Sequence, residues 1–287
     1  MSEYAERHFP KELAALLSPE ATAQIASMLR EHARASLITE DSFIKIGIAQ
    51  RENDPYFQSL EHERHVYTTV QFPPICYAKL RWHYTDGTMI ILVTERIEAS
   101  ALGNRRDAFA LPAGVNSEEI FAEIAKIGTG KVPEHWLSTY EREKKAAGYL
   151  KRLSPHIPQL LTMHSEELFE RLSFVGEPVL SHGDLLPTNI LMRQGRYWFI
   201  DWEWADLRPA SYDAALFTLF SRPPYQALSL FEQLDHLWDP VELYRDAVVI
   251  ALRELKILVF QSQSTHQDSM IMWVRTLEEA VRWLLHS

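Results

Sequence analysis

The sequence is poor in cysteine: Cys76 is the only one among 287 residues. A single cysteine excludes an internal disulfide, and it fits a chain that folds in a reducing compartment. Free cysteines are often small buried side chains, so we interpret Cys76 as a buried residue at the start of a strand.

Long apolar runs and an excess of positive charge are also missing. The longest apolar stretches, such as Met89–Val93 and Ala247–Leu252, are too short to cross a bilayer. The N-terminal segment MSEYAERHFPKEL lacks the basic and apolar regions of a signal peptide. The formal net charge of −10 argues against a nucleic-acid partner, which would need clustered Lys and Arg. We therefore expect a cytoplasmic protein with no membrane or nucleic-acid partner, whose acidic charge is compatible with a cationic small substrate.

The stretch from residue 180 to residue 213 contains the most informative pattern in the chain. Apolar residues 190–192 are followed by a second apolar run, 197–200, and the residues Gln194-Gly195 lie between them. Two apolar runs separated by a short turn of this kind predict a β-hairpin.

Three polar residues lie at one end of this predicted hairpin. Asn189 directly precedes its first strand and Asp201 directly follows its second, so antiparallel pairing brings them together. Asp184 lies in the loop that leads into the hairpin. Oxygen ligands clustered in this way suit Mg²⁺, and a third acid beside a metal-held phosphate could accept a hydroxyl proton. Each residue alone has an ordinary explanation, because Asp and Asn are common turn formers.

The complete pattern resembles the aminoglycoside phosphotransferase and choline kinase-like family, which has the protein kinase-like fold. The residues that carry the resemblance are His182-Gly183-Asp184, Asn189, Ile200-Asp201-Trp202-Glu203 and Pro209–Ala215. It implies an α+β, two-lobe architecture. Residues 1–97 would form a small nucleotide-binding lobe with a mixed antiparallel sheet. Residues 98–287 would form a mainly helical lobe with the catalytic loop and the substrate site.

The resemblance also implies an activity: ATP-dependent transfer of the γ-phosphoryl group to a hydroxyl of a small acceptor, cationic or sugar-like. Asp184 would be the catalytic base, and Asn189 and Asp201 would bind the Mg²⁺ that bridges the ATP phosphates. The backbone at Glu95 and Ile97, in the linker between the lobes, would bind adenine.

Two further residues of the motif are assigned supporting roles by the same resemblance. His182 would stabilise the catalytic loop by hydrogen bonding, and Asp213 would be a buried acceptor for loop amides.

A strand and a helix near the N-terminus supply another charged pair. Ile44 and Ile46 alternate onto one face of a predicted strand, which places Lys45 on the other face. In the helix predicted for Tyr56–Val70, Glu63 falls on the apolar face, where a carboxylate needs a partner. We predict a Lys45–Glu63 ion pair, which matches the lysine–glutamate pair that positions phosphates in the family.

Two alternatives to this pair remain open. Glu61, on the polar face of the helix, is the second candidate partner. The alternative role for Lys45 is that of an edge-strand lysine that opposes aggregation.

The sequence departs from kinases in one respect. Kinases usually place a glycine-rich turn over the phosphates, whereas residues 22–42 contain no glycine. Either a shorter turn with Ser and Thr, around Ser36 to Thr39, performs this task, or the nucleotide is held weakly.

Trp202, Glu203 and Trp204 follow Asp201, the metal ligand implied by the resemblance. Glu203 and Trp204 are candidates for contact with the acceptor, and Trp202 is predicted to pack in the core. The segment Ser138–Leu153, in which charges alternate on one face, is predicted to be solvated.

Two motifs look functional but do not meet the requirements of the chemistry. His62 and His65 resemble part of a zinc motif, but their spacing is three rather than four, so we predict solvated histidines. Gly128–Lys131 resembles a phosphate-binding loop, but it lacks the first glycine and the final Ser or Thr. It is predicted to end a helix.

Two other functions fit parts of the sequence. A kinase-fold protein that binds nucleotide or a partner without turnover would explain the missing glycine turn. A metal-dependent phosphoester hydrolase would use Asp184, Asp201 and Glu203, but it would leave Lys45 without a role.

Overall fold

The computed structural model of the protein describes residues 9–104, 109–136, 140–158, 160, 166–174, 176–260 and 267–287. The N-terminal part contains the helices Lys11–Leu16, Pro19–His32 and Pro55–Thr69 and the strands β1 (Arg34–Ile38), β2 (Ser42–Ile48), β3 (Cys76–Tyr77), β4 (Leu80–Thr85) and β5 (Met89–Glu95). Four of these strands form an antiparallel sheet in the order β1-β2-β5-β4. We call this sheet, with its three helices, the small lobe.

Apolar side chains cover both faces of this sheet. Ile44 and Ile46 of β2 are fully buried in the cluster that includes Ile25 of the helix Pro19–His32. On the other face, the helix Pro55–Thr69 packs its Leu60 against β5. Burial of each such side chain contributes roughly 1.5–3 kcal/mol. Because side chains alternate along a strand, the burial of Ile44 and Ile46 directs Lys45 towards the helix Pro55–Thr69.

The rest of the chain forms the large lobe. Its helices are Ser117–Ile127, Arg142–Leu153, Glu166–Leu172, Tyr212–Ser221, Pro224–Ala227, Pro240–Phe260 and Gln267–His286, and short 3₁₀ turns span Glu134–Trp136, Pro187–Asn189, Trp202–Trp204 and Leu228–Leu234. Its short strands are β6 (Ser100–Ala101), β7 (Val179–Ser181), β8 (Ile190–Arg193), β9 (Arg196–Phe199) and β10 (Asp206–Arg208). The helix Tyr212–Ser221 is buried along nearly its whole length and forms the centre of the lobe.

The predicted hairpin is present as β8 and β9, with Ile190 opposite Phe199. Gln194 and Gly195 both have positive φ, at 52° and 71°, which gives the twist that a two-residue hairpin turn requires. β6 pairs with β8, and β3 pairs with β9 in parallel, so the hairpin is the centre of a four-stranded sheet. Cys76 lies at the start of β3, as predicted, and is half-buried.

The solvated charged surface predicted for Ser138–Leu153 is present at Lys144, Lys145, Lys151 and Arg152, which are exposed, but the prediction is wrong for Arg142. Residues 138 and 139 lie outside the described part of the chain, but Arg142 is fully buried. Its guanidinium pairs with Asp246 at 3.0 Å and with Glu242 at 2.7 Å. Both acids belong to the helix Pro240–Phe260, so a distant element buries a charge that the local pattern assigned to solvent.

The predicted end of a helix at Gly128 is confirmed, because Gly128 directly follows the helix Ser117–Ile127. The helix begins at an Asn116 cap, whose side chain accepts from the Glu118 N–H at 3.1 Å. In the described ranges, no helix has the length and apolar character needed to span a membrane.

Candidate functional site

Lys45 joins the two lobes. Its ammonium lies 2.7 Å from the Glu63 carboxylate in the small lobe and 2.6 Å from the Asp201 carboxylate in the large lobe. The predicted Lys45–Glu63 ion pair is therefore confirmed as a contact. Glu61, the second candidate, pairs instead with Arg64 on the surface of the same helix, at 2.5 Å.

The two carboxylates set the protonation of this cluster. Although burial disfavours the charged ammonium, Glu63 and Asp201 together hold the pKa of Lys45 above its ordinary value. Burial raises the pKa of Glu63 to about 7, since the attraction of Lys45 only partly offsets it and the charge of Asp201 adds to it. Lys45 thus remains a cation, held between one buried and one accessible acid.

Asp201 occupies a sharp bend directly after β9. Its φ of 69° is in the left-handed region, and the 3₁₀ turn Trp202–Trp204 follows it. Trp202 is fully buried, as predicted, and its ring packs against His182 at 4.6 Å and Phe72 at 4.7 Å between centroids. This packing fixes the bend, and the Asp201 side chain remains 35% exposed.

The loop that contains His182, Gly183 and Asp184 is held by hydrogen bonds from three directions. Asp213 accepts from the backbone N–H of His182 at 2.6 Å and of Gly183 at 2.9 Å. His182 Nε2 donates to the carbonyl of Ile200 at 2.8 Å, and this tautomer leaves Nδ1 as the acceptor for the Asp184 N–H at 3.4 Å. The supporting contacts predicted for His182 and Asp213 are therefore present.

Gly183 permits a close approach within this loop. It has a φ of 79°, and a Cβ atom at this position would lie 2.1 Å from the Trp204 carbonyl oxygen and 2.2 Å from the Arg208 guanidinium. No other residue type fits here without displacing the backbone.

Asn189 connects the loop to the hairpin. Its side-chain N–H donates to the Asp184 carbonyl at 2.8 Å, and its own carbonyl accepts from the Ile200 N–H at 3.1 Å. The structure thus joins Asp184, Asn189 and Asp201 through adjacent, hydrogen-bonded backbone, with Lys45 reaching Asp201 from the small lobe.

Arg253 is a site residue that the sequence analysis missed. Its guanidinium pairs with the Asp184 carboxylate and also donates to the Gly183 carbonyl at 3.0 Å. It extends from the helix Pro240–Phe260, on which Asp246, Ile250 and Arg253 follow one another at helical spacing. The sequence signal that could have identified Arg253 was its position on the same helix face as buried residues.

Two cavities meet at this site. The larger, about 1410 Å³, contains Lys45, Glu63 and Asp201, and the linker residues 95–97 form another part of its wall. The Glu95 N–H donates to the Lys79 carbonyl at 2.9 Å and is therefore already engaged within the small lobe. The smaller cavity, about 520 Å³, lies beside Gly183 and Arg253.

Glu203 lines both cavities. Its carboxylate accepts from the Ser59 hydroxyl at 2.9 Å and from the Trp204 indole N–H at 3.0 Å. Trp204 itself is 50% exposed at the wall of the smaller cavity. Glu203 therefore separates the two compartments, and Trp204 faces only the smaller one.

The turn expected around Ser36 to Thr39 lies slightly later in the chain. Ser36 belongs to β1, directly opposite Lys45, and it lines the larger cavity. The connection to β2 spans residues 39–41, where the Thr39 side chain accepts from the Ser42 N–H at 3.1 Å. Arg96 N–H donates to the Asp41 carbonyl at 2.9 Å. Side chains and the linker thus fix a turn that contains no glycine.

The solvated state predicted for His62 and His65 is wrong. Both are half-buried and lie 5.7 Å from the Trp136 ring. His62 Nε2 is 2.6 Å from the Ala205 carbonyl, and His65 Nε2 accepts from the Trp136 indole at 2.9 Å. Packing between the lobes accounts for both residues, and the described ranges contain no cluster of three or more His, Cys, Asp or Glu suited to a metal ion.

Asn189 and Asp201 have the donor chemistry that Mg²⁺ requires. The amide nitrogen of Asn189 is used by Asp184, which leaves its oxygen as the ligand atom, and Asp201 supplies a carboxylate that faces the larger cavity. One carboxylate and one amide oxygen suit Mg²⁺, which completes its shell with water and phosphate oxygens.

Known proteins share this architecture. Residues 120–244 match the model of the phosphotransferase enzyme family APH. The structure of aminoglycoside 2'-phosphotransferase-IIIa with GDP is 14% identical and has a TM-score of 0.56, covering 88% of this chain and 90% of that chain. A thermostable mutant of aminoglycoside phosphotransferase APH(4)-Ia, in ternary complex with ADP and hygromycin B, is 15% identical with a TM-score of 0.55 and coverages of 90% and 97%.

A choline/ethanolamine kinase family protein from Mesorhizobium loti is also similar, with 14% identity, a TM-score of 0.54 and coverages of 93% and 99%. No curated protein matches the chain. The resemblance to the aminoglycoside phosphotransferase and choline kinase-like family is confirmed. So is the predicted α+β, protein kinase-like fold, with its antiparallel-sheet N-terminal region and its mainly helical C-terminal region.

Proposed function

We propose that the protein is an ATP-dependent kinase that transfers the γ-phosphoryl group to a hydroxyl of a small molecule. The observation that carries the proposal is the position of Lys45, which contacts Glu63 and Asp201 in a large cavity. Asn189 connects the backbone beside Asp201 to the Asp184 loop. A buried cation beside an accessible acid suits a polyphosphate, because phosphoryl transfer depends mainly on positioning and charge neutralisation.

The proposed roles follow from these contacts. Lys45, oriented by Glu63, binds the non-transferred phosphates, and the linker at Glu95 and Ile97 binds adenine. Asn189 and Asp201 would hold Mg²⁺, which supplies positive charge to the phosphates when it is bound. In this proposal residues 1–97 form the nucleotide-binding lobe and residues 98–287 carry the catalytic loop and the acceptor site, in a cytoplasmic protein.

Asp184 acts on the acceptor in this proposal. Its carboxylate takes the proton of the acceptor hydroxyl as that oxygen forms a bond to the γ-phosphorus. The bond from the γ-phosphorus to the β–γ bridging oxygen breaks, and its electron pair leaves with ADP. Glu203 and Trp204 contact the acceptor from the wall of the smaller cavity.

An ADP-release screen over hydroxylated small molecules tests the proposal, with ATP and GTP offered separately and Asp184→Ala as the blank. We expect release that requires Mg²⁺, an acceptor and Asp184. Nucleotide binding with no release across the panel would instead favour the inactive kinase-fold alternative. Phosphate release from esters without nucleotide would favour the hydrolase alternative. The engagement of both Glu203 oxygens by Ser59 and Trp204 gives that alternative less support.

A further inference from the structure

The smaller cavity has the size of a small-molecule site. Its volume of about 520 Å³ falls within the range of typical ligand pockets, roughly 300–1,000 Å³. Gly183 and Arg253 in its wall place it beside the Asp184 loop, and only Ser59 and Glu203 are shared with the larger cavity. A molecule in this cavity would therefore lie beside the loop that carries Asp184 and next to Arg253, the partner of the Asp184 carboxylate.

Three cationic side chains line the smaller cavity: Lys145, Arg208 and Arg253. Arg253 is paired with Asp184, but the other two make no ion pair with any carboxylate in the described part of the chain. Arg208 is only 8% exposed, and it donates to the Trp204 carbonyl at 2.9 Å. A buried guanidinium without a carboxylate partner is costly, so Arg208 can gain substantially from an anionic ligand.

Lys145 lies close to this arginine. Its ammonium is 4.3 Å from the centre of the Tyr140 ring, and burial together with the Arg208 charge lowers the pKa of Lys145. The charge of Asp206 partly opposes this shift, and Lys145 is itself exposed to solvent. The two cations nevertheless repel one another when no anion lies between them. A negative group between them would relieve this repulsion.

Tyr140 also lines this cavity, and its hydroxyl is an unused donor buried beneath the cavity surface. Its side chain is 7% exposed, and its hydroxyl has no hydrogen-bond partner within the ranges that the structure describes. Burial raises the pKa of Tyr140 well above its ordinary value, so the hydroxyl keeps its proton. Since a buried hydroxyl without a partner costs about 1–3 kcal/mol, a ligand acceptor at this position would be favoured.

Two carboxylates also line the cavity. Glu203 accepts from Ser59 and Trp204, and Asp206 accepts from the Leu207 N–H at 2.8 Å. The charge of Asp206 acts on Lys145, but neither acid lies at ion-pair distance from Lys145 or Arg208, so both cations remain able to bind an anionic ligand.

We infer that the smaller cavity binds the anionic group, a carboxylate or phosphate, of a hydroxylated acceptor, with Lys145, Arg208 and Tyr140 as its donors. This inference rests on the proposed function for its acceptor role, since the hydroxyl of the same molecule would face Asp184. The inferred acceptor is anionic, whereas the net charge of the chain suggested a cationic substrate.

Inorganic phosphate is the probe for the anion site, measured by calorimetry at fixed ionic strength with ADP·Mg²⁺ saturating the larger cavity. We expect the wild type to bind phosphate, and both Lys145→Glu and Tyr140→Phe to weaken binding by about tenfold or more, as loss of one charge-assisted or buried hydrogen bond predicts. Lys144→Glu is the matched control, because Lys144 is exposed and pairs with Glu141 outside the cavity.

Tyr140→Phe guards against a folding artefact, because removal of an unpaired buried hydroxyl leaves the free energy of unfolding unchanged or raises it. Absence of phosphate binding in the wild type would overturn the inference. Equal affinity in the wild type and Lys145→Glu would also overturn it.

The acceptor role is tested with matched hydroxylated compounds in the ADP-release assay. Glycerate, gluconate and glycerol 3-phosphate represent the anionic class, and choline, ethanolamine and kanamycin represent the cationic class. We expect transfer to the anionic class, reduced by about tenfold or more in Lys145→Glu. Preferential transfer to the cationic class overturns the inference while supporting the kinase function. Failure to bind Mg²⁺–ATP overturns the kinase function, and the phosphate measurement then still decides the anion site.

Discussion

Arg253 pairs with Asp184 across 69 positions of sequence, and it also binds the carbonyl of the neighbouring Gly183. One guanidinium thus compensates the charge of the loop carboxylate and fixes the backbone that carries it. Arg253 does not belong to the motif that indicated the site, yet it limits the directions in which the Asp184 carboxylate can point. We assign it as a positioning residue for the proposed base.

Arg253→Gln is expected to lower the turnover of phosphoryl transfer by about tenfold to a hundredfold, because the Asp184 carboxylate loses the charged partner that fixes its orientation. The affinity for Mg²⁺–ADP should change by less than about twofold, since Arg253 lines only the smaller cavity. Steady-state ADP release and calorimetry measure the two effects. Arg275→Gln, which removes an exposed pair with Glu279, is the control. Equal turnover in the two variants would contradict the assignment.

Asp184 and Asp201 should be separable by their effects on binding and on turnover. Asp184→Asn is expected to abolish transfer and leave Mg²⁺–nucleotide affinity nearly intact, because it acts on the acceptor. Asp201→Asn should weaken Mg²⁺–nucleotide binding by about tenfold or more, since it removes the charged metal ligand. Calorimetric titrations with and without Mg²⁺ test this division. The same nucleotide affinity in both variants would refute it.

The ion pair between Lys45 and Glu63 offers a matched comparison on one helix. Glu63→Gln should weaken nucleotide binding by about tenfold, because Lys45 then relies on Asp201 alone for its orientation. Glu61→Gln changes the same residue type on the exposed face, where Glu61 pairs only with Arg64, and should have no effect. If the two variants bind nucleotide alike, the proposed role of Glu63 is wrong.

A comparison of alanine substitutions at Gly183 and Gly195 distinguishes the cost of backbone strain from the cost of steric overlap. Both have positive φ, at 79° and 71°, but nothing lies within 4 Å of an added Cβ at Gly195. Gly195→Ala should therefore lower the free energy of unfolding by only about 1–2 kcal/mol. Gly183→Ala should lower it by roughly 1–3 kcal/mol more, since the Trp204 carbonyl must also move, and transfer should be lost. Urea denaturation of the two variants measures the difference, and equal losses would argue against the overlap.

Asp246 should make stability depend on pH. Burial raises its pKa to about 6 from 3.8, because the attraction of Arg142 only partly offsets the lost hydration. The folded protein therefore holds a proton that the unfolded chain releases, and this contribution to stability is lost as the pH rises from about 4 through 6.

The variant Asp246→Asn lacks this titration. The stability of the wild type relative to the variant should fall by up to about 3 kcal/mol between acidic and neutral pH, at about 1.4 kcal/mol for each pKa unit. Urea denaturation at pH 4.5, 6 and 7.5 gives the two curves. A difference that does not vary with pH would contradict the raised pKa of Asp246.

Local patterns predicted the parts of the site that lie close together in sequence. The hairpin followed from two apolar runs and a turn, and it brought Asn189 next to the strand that ends at Asp201. The Lys45–Glu63 pair followed from two burial periods, one of strand and one of helix, because a buried charge requires a partner. Each of these inferences used the residue pattern within one hairpin, strand or helix at a time.

Contacts between distant elements were not predictable in this way. The sequence pattern predicted a solvated Arg142, because its partners Asp246 and Glu242 lie on another helix. It also predicted solvated His62 and His65, because the ring of Trp136, which packs against both, belongs to a different segment. Single-element periodicity shows which face of a helix is apolar, but it carries no information on what covers a polar face.

The parallel pairing of β3 with β9 makes the large lobe depend on residues from the N-terminal part of the chain. Cys76 and Tyr77 precede the linker in sequence, yet they complete the sheet whose central hairpin leads into the bend at Asp201. A fragment that starts after Ile97 would lack β3 and leave one edge of β9 unpaired. A chimera joined at the linker would take β3 from one protein and β9 from another, and these two strands would have to pair.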